Sequence, residues 1–291
     1  YKSCALFNRL YERIAAMPVI DCHEHLIGPE ERPSYQEPIA ALFAGYVLHD
    51  LQSAAFGISE KEVARLEDHE VPTDEKWPLL ERLWRATEHT AYARVTKLVL
   101  KTVYGEDELT REALARIAEK LPARRDEAVY FRTIDQANIQ AVLVDVLGWL
   151  PDGLGAFLDG KKTFPEKWRP LISLPAFHPI HFTHETIDWC ASLADAHITS
   201  LDDYLAAVHE IFQACIARGA IGIKDQSAYR RNLTYDVVPK ADAERLFNRM
   251  LVDPRNGLGW PESKPLNDYL FHQFMRFARD LDLPVQLHTG H

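Results

Sequence analysis

Five short apolar runs, each followed by helix-like sequence, constrain the fold of this chain more than any other feature. They cover residues 17–26, 140–148, 171–177, 220–224 and 283–289. A short apolar run bounded by turn residues is typical of a buried strand, and strands that alternate with helices favour a parallel sheet covered by helices. The sequence therefore predicts an α/β fold of repeated βα units, either an open doubly wound sheet or a closed barrel.

Two segments between the later runs carry plain local signals. Apolar residues recur at helical spacing over residues 201–218, and Gly219 follows where a helix would be capped. Residues 253–265 contain two glycines and three prolines. We predict a helix for the first segment, and for the second a loop at the surface or at the mouth of a site.

The interval between the first and second runs, residues 27–139, is much longer than a βα crossover needs. Helix-like sequence fills residues 76–103 and 110–121, the latter with Thr110 at a helix start. We predict a single barrel domain over residues 1–291 with a helical insertion, or lid, over about residues 36–130. A structural elaboration with no role at the site is the alternative.

The composition excludes several classes of protein. The chain has 291 residues, 47% of them hydrophobic, and a formal net charge of −10, so it can build a sizeable core but does not attract nucleic-acid phosphates. Its four cysteines include no C-x-x-C pair, which favours a reducing compartment. No apolar run approaches the roughly 20 residues that span a bilayer. We expect a cytoplasmic protein with a small-molecule substrate and no nucleic-acid or membrane partner; a homo-oligomer is left open.

His23 and His25 lie at the end of the first run. Side chains alternate along a strand, so both imidazoles should project from the same face. Sites in βα barrels are built at the C-terminal ends of the strands, and neutral imidazoles suit Zn²⁺ or Fe²⁺. We interpret the two residues as metal ligands. The alternative is a pair of exposed loop histidines, because H-x-H alone is a short motif.

The same alternation places His288 and Lys224 inside the barrel. In the fifth run Val285 and Leu287 share one face, which leaves the other to His288 at the strand's C-terminal end. In the fourth run Lys224 is on the inner face. A buried lysine is costly unless it is paired or neutralised, so we expect Lys224 to serve the site. The alternative is a salt bridge to Asp225 or another carboxylate.

This ordered set of residues resembles the amidohydrolase superfamily. Residues 21–25 (DCHEH) end the first strand, Lys224 lies on the fourth and His288 on the fifth. The resemblance is to the amidohydrolase-related branch, which includes metal-dependent hydrolases and non-oxidative decarboxylases. Residues 224–230 (KDQSAYR) are similar to a K-S-x-x-A-Y-R stretch in amidohydrolase domains fused to glutamine-synthetase-like domains, and residues 283–290 look like the matching fifth strand.

The resemblance implies a TIM-like (β/α)₈ barrel with a divalent metal held by His23, His25 and His288. Zn²⁺ is the first expectation, with Mn²⁺ or Fe²⁺ as alternatives; where two ions bind, Lys224 would be carbamylated and bridge them. Family members also supply a histidine near strand six and an aspartate at strand eight, whereas this sequence stops at His291, before either. We therefore expect the natural protein to continue for about 100 or more residues, enough for three further βα units.

Three more residues are candidates for the pocket. His178 directly follows the third run, where barrel loops reach a site, so His178 and Lys224 are the candidate catalytic residues. Tyr229 and Arg230 follow the fourth run, and an arginine fork can hold a carboxylate through two hydrogen bonds. We take these two as candidate substrate-binding residues. An ordinary loop histidine and a surface arginine beside a packed tyrosine are the alternatives.

These residues favour three functions. The first is a metal-dependent hydrolase, in which metal-activated water attacks a C–N or ester bond of a small, carboxylated substrate. The second is a metal-dependent non-oxidative decarboxylase that uses the same histidines. The third is a non-catalytic barrel fragment that binds a metal or ligand.

Overall fold

The computed structural model divides the chain into two compact units. The barrel unit combines residues 1–27 and 137–291, and the helical unit comprises residues 28–136. The insertion expected at residues 36–130 lies within the helical unit, and its role as a lid stays a prediction. The structure describes residues 4–26, 28, 37–121, 126–145, 147, 153–255 and 257–289. Some residues of the predicted segments lie outside this set. They are residues 36, 122–125, 146, 148, 256, 290 and 291.

Five parallel strands form one sheet in the barrel unit. They are β1 (Val19–Glu24), β2 (Ile139–Val144), β3 (Trp168–Ser173), β4 (Gly222–Asp225) and β5 (Val285–Leu287). Each strand pairs with the next one along the chain, so the order is β1-β2-β3-β4-β5. All five strands lie within or overlap the predicted apolar runs.

The strand order decides between the two architectures that the sequence leaves open. A doubly wound sheet reverses its strand order at a switch point, whereas a barrel adds each strand beside the previous one. The sheet also curls, so that its first and last strands come close together. The Gln286 side-chain amide of β5 donates a hydrogen bond to the main-chain oxygen of Cys22 in β1. The predicted TIM-like architecture is confirmed as a five-stranded, open half-barrel.

Helices flank the strands and build the helical unit. The α-helices described are α1 (Ala5–Ala15), α2 (Pro38–Phe43), α3 (Tyr46–Ser53), α4 (Glu60–Ala64), α5 (Thr73–Thr87), α6 (Ala91–Val99), α7 (Arg111–Lys120), α8 (Glu127–Gln136), α9 (Gly153–Leu158), α10 (His184–Ala194), α11 (Leu201–Ala217), α12 (Lys240–Val252) and α13 (Lys264–Asp280). In the part of the chain that the structure describes, no helix has the length and apolar character needed to cross a bilayer.

The core of the barrel unit lies between the sheet and the later helices. Ile172 of β3 and Ile223 of β4 are fully buried and belong to one apolar cluster with Phe212 of α11 and Phe274 of α13. Helix α11 matches the predicted segment, and Gly219 follows it with a φ of 100°, a backbone conformation that favours glycine. The helix predicted over residues 201–218 is therefore confirmed, and it connects the parallel strands β3 and β4 together with α10.

The helical unit has its own apolar core and a buried ion pair. Helix α7 begins after Thr110, whose hydroxyl accepts a hydrogen bond from the Ala113 N–H, as expected of a helix start. The Glu37 carboxylate caps α2 and accepts a 2.6 Å hydrogen bond from Lys76 Nζ of α5. Both side chains are almost fully buried, and Lys76 also donates to the main-chain oxygens of Leu66 and Asp68. This network fixes α2 against α5.

We expect Lys76→Met to lower the free energy of unfolding by about 3–5 kcal/mol, because it leaves the buried Glu37 carboxylate without its cation. Urea unfolding followed by circular dichroism measures the change. Arg85→Met is the matched control: it breaks an exposed pair with Glu81 and should cost no more than about 1 kcal/mol. Equal losses of unfolding free energy in the two variants would contradict the stabilising role of the buried Lys76–Glu37 pair.

Candidate functional site

Three imidazoles meet at the C-terminal ends of β1 and β5. His23 lies in β1, His25 follows that strand by one residue and His288 follows β5 by one residue. The ring centroids of His23 and His25 are 5.5 Å apart, and those of His23 and His288 are 5.3 Å apart, with each pair nearly perpendicular. The structure thus brings together the three histidines that the sequence proposes as ligands.

An irregularity in β1 shapes this cluster. From Asp21 to Glu24 the strand advances three residues while its partner β2 advances two, from Val142 to Val144. An extra residue of this kind bends a strand and re-aims its side chains. Cys22 is exposed in this stretch. Strict alternation, on which the sequence interpretation relied, is therefore interrupted just before the second histidine.

The surroundings of the cluster favour neutral imidazoles. Burial lowers the pKa of His23, and the charges of Lys224 and His288 lower it further. Burial also lowers the pKa of His25, followed by the charge of His23, while a hydrogen bond to the main chain of Asp145 opposes the shift. A metal ligand must be the neutral imidazole, so both pKa shifts favour the form that a cation requires.

The donor set can be tested against the geometry of a metal ion. Two imidazoles bound to one tetrahedral ion at about 2.1 Å have ring centroids about 5 Å apart, which matches both measured pairs. Among the described residues, however, no three histidine, cysteine or carboxylate side chains converge closely enough to hold an ion. The residue types and the pairwise spacing fit a divalent metal, and a complete three-nitrogen set requires at least one ring to reorient.

Lys224 lies inside the half-barrel, as the alternation of β4 predicts. Its side chain is buried, and Nζ donates a 2.8 Å hydrogen bond to Oε1 of Gln286. Burial lowers the pKa of Lys224, which the charges of Asp145, Cys22 and Asp225 oppose. The alternative, a salt bridge to Asp225 or another carboxylate, is not observed among the described residues, where Lys224 Nζ bonds to the Gln286 amide and the Asp225 carboxylate accepts hydrogen bonds from Ser227 and Tyr235.

A second polar group beside the cluster escaped the sequence interpretation. Asp145 follows β2, Ser173 ends β3 and Gln226 follows β4. The Gln226 amide donates to the Asp145 carboxylate and exchanges hydrogen bonds with the Ser173 hydroxyl. Burial raises the pKa of Asp145 to about 6, against the effects of Gln226 and Lys224. Its position directly after a β-branched run was the available signal, since barrel sites use strand ends.

The loop after β4 carries the two predicted substrate-binding residues. The Tyr229 ring stacks on that of His288, with centroids 4.4 Å apart, and Arg230 is exposed. Arg231, which the sequence interpretation passed over, forms a buried 2.6 Å ion pair with Asp268 of α13. The structure therefore anchors the loop through Arg231 and leaves the Arg230 guanidinium accessible to an anion.

His178 occupies a different environment from the imidazole cluster. It is 1% exposed, and its ring contacts are with the aromatic side chains of Tyr235, Phe271 and Phe274. Burial lowers its pKa, and the positive charge of Arg231 adds to that effect. A catalytic role for His178 stays a prediction, and its packing makes it part of the wall between the β3 loop and α13.

Comparisons with known proteins support the fold. A uronate isomerase from Thermotoga maritima superposes with a TM-score of 0.71 at 13% identity, over 97% of this chain and 61% of that one. A uronate isomerase from Bacillus halodurans C-125 gives 0.60 at 15% identity, over 97% and 59%. A proposed metal-dependent hydrolase from Lactobacillus casei ATCC 334 gives 0.52 at 19% identity, over 97% and 60%.

These likenesses are structural and partial. The chain spans about three fifths of the length of each of these three proteins. No protein-family model matches the sequence, and no curated protein matches it significantly. At identities below one fifth, the comparisons establish the barrel architecture, and the chemistry has to be argued from the residues.

We expect the free energy of unfolding to fall between pH 7 and pH 5 in part because of His178. Its pKa is lowered in the folded state, so the unfolded state takes up the proton first, and stability is lost as the pH drops below about 6.5. The slope from one such group is at most about 1.4 kcal/mol per pH unit. The charged groups that face the His178 ring determine how far its pKa is lowered. They are Asp225, Asp268 and Arg231.

The comparison of wild type with His178→Gln isolates this contribution, since glutamine does not titrate. Denaturant unfolding at pH 7, 6 and 5 should show a shallower loss of stability on acidification in the variant. Parallel curves for the two proteins would mean that His178 is not the group responsible.

Proposed function

We propose that this chain carries the metal-binding part of a metal-dependent hydrolase of the amidohydrolase type, acting on a C–N or ester bond of a small, carboxylated substrate. The observation that carries the proposal is the meeting of His23, His25 and His288 at the C-terminal edge of the half-barrel, with ring centroids 5.3 and 5.5 Å apart. The likeness to a proposed metal-dependent hydrolase and the resemblance of the ordered motif set support it.

A divalent ion at this position, with Zn²⁺ as the first expectation and Mn²⁺ or Fe²⁺ as alternatives, supplies a Lewis acid that lowers the pKa of water and polarises a carbonyl. His23, His25 and His288 would hold it. Lys224 places a cationic side chain at the inner wall when it is free, and would act as an oxygen ligand between two ions when it is carbamylated. A free Lys224 cation would attract an anionic substrate; with the carbamate, which is an anion, the two divalent ions would supply the positive charge.

The β4 loop would bind the substrate. Arg230 is exposed and has the planar fork that pairs with a carboxylate, and Tyr229 presents its ring beside His288. The Tyr229 ring would limit the position of the substrate on the side of β5. Together they would orient a small acid with its reacting bond toward the imidazoles.

Isomerisation of a sugar acid is a second candidate, because two of the structures described above are uronate isomerases. Non-oxidative decarboxylation is a third, since it would use the same histidines. A panel assay of Zn²⁺- and Mn²⁺-loaded protein separates the three: amide or ester cleavage supports the hydrolase, CO₂ release the decarboxylase, and aldose–ketose conversion the isomerase. Isomerisation or CO₂ release without any hydrolysis would overturn the first proposal.

Metal binding itself has a direct test. We expect His23→Ala and His288→Ala each to reduce bound Zn²⁺ well below one ion per chain after dialysis, as measured by elemental analysis. His184→Ala is the control, because that side chain pairs with Asp188 on α10 and should leave the metal content unchanged. Full metal occupancy in both test variants would reject the ligand assignment.

A further inference from the structure

A hydrogen-bonded chain of side chains runs from β3 to the imidazole cluster. The Ser173 hydroxyl and the Gln226 amide lie 3.2 and 3.3 Å apart in two reciprocal hydrogen bonds, and the same amide donates to Asp145. All three residues are buried. We propose that Gln226 is a positioning residue for His25 and acts through Asp145. The metal-binding part of this proposal rests on the proposed function, since His25 is a ligand only there.

Asp145 is attached to the end of β1 at two points. Its main-chain N–H donates a 3.2 Å hydrogen bond to the oxygen of Glu24, the residue before His25. The main chain of Asp145 also forms a hydrogen bond with the His25 ring. A shift of Asp145 therefore moves both the backbone that leads into His25 and the imidazole itself. An outer hydrogen bond of this kind fixes the tautomer and orientation of a ligand imidazole.

Gln226 is the side chain that holds the Asp145 carboxylate. It donates to Oδ2, whereas Oδ1 has no hydrogen-bond partner among the described residues. A carboxylate that is 2% exposed needs a donor, because burying it without one is costly. When the amide is removed, the carboxylate must turn toward another donor, and the main chain that carries it is no longer tied to β4.

The direction of the amide is also fixed. The Asp145 carboxylate only accepts hydrogen bonds, so it requires Nε2 of Gln226 on its side, while the Ser173 hydroxyl accepts from Nε2, donates to Oε1 and anchors the amide. Side chains from three neighbouring strand ends thus hold the position at which His25 leaves β1. Gln286 does not belong to this chain, because its contacts are Lys224 and the main chain of Cys22.

The test begins with metal-free protein whose histidines are labelled with ¹⁵N. We expect Gln226→Leu to shift the ring ¹⁵N signals of His25, assigned through His25→Ala, while the signals of the distant His209 stay in place. Ser173→Ala removes one anchor of the amide and should shift the same signals less. It keeps the test valid if Gln226→Leu does not fold. Gln273→Leu, a change of the same type at a half-buried residue of α13, is the control and should shift neither.

A double-mutant cycle with Zn²⁺ then asks through which histidine Gln226 acts. Competition with a chelator should give a 10- to 100-fold weaker affinity for Gln226→Leu, the range for loss of an outer hydrogen bond. The loss should persist in a His288→Ala background and vanish in a His25→Ala background.

Unchanged His25 signals in folded Gln226→Leu or Ser173→Ala would overturn the proposal, and so would an undiminished loss of affinity in the His25→Ala background. If the wild type binds none of Zn²⁺, Mn²⁺ and Fe²⁺ while Gln226→Leu still shifts the His25 signals, the proposed function is refuted and the positioning role is upheld. The two failures are therefore distinguishable.

Discussion

The curvature of the parallel sheet is the constraint on which the candidate site depends. In a flat sheet the first and fifth strands would be separated by four strand spacings, about 19 Å. The observed sheet instead allows the Gln286 amide of β5 to reach the main chain of Cys22 in β1, and it brings the rings of His23 and His288 to 5.3 Å. Residues far apart in sequence and at opposite ends of the strand order become neighbours only because the sheet bends.

The interior of this curved sheet is polar, and its polar groups are held in different ways. Lys224 has a neutral amide as its hydrogen-bond partner, in contrast to the paired Lys76 and Glu37 of the helical unit. The charge of a buried cation that lacks a carboxylate partner can act on a ligand. The charge of a paired cation acts mainly on its partner within the fold. The charge of Lys224 therefore remains available to the proposed ligand, whereas the ion pair of the helical unit stabilises the fold.

Much of the barrel unit follows from local patterns. Apolar runs predicted the five strands, and helical spacing followed by Gly219 predicted α11. Both signals are local, because the periodicity of a strand or a helix appears within a short stretch of sequence. The meeting of His23 with His288 also followed, once the fold was taken as a barrel. The Asp145–Gln226–Ser173 chain did not, since it joins residues from three strands whose side chains carry no mutual signal in one sequence. His178 likewise follows a strand as expected, yet its ring is packed among aromatic side chains that lie nearly a hundred residues later.

The extra residue in β1 has a consequence for which face of the strand His23 and His25 occupy. From Asp21 to Glu24, β1 advances three residues while β2 advances two. The number of residues in this stretch therefore sets the face of the strand on which each later side chain of β1 lies. Loss of Cys22 would leave the composition of the motif almost intact and yet turn both His23 and His25 to the other face of the strand, away from His288. The number of residues in this short segment therefore matters to the motif as much as their identities do.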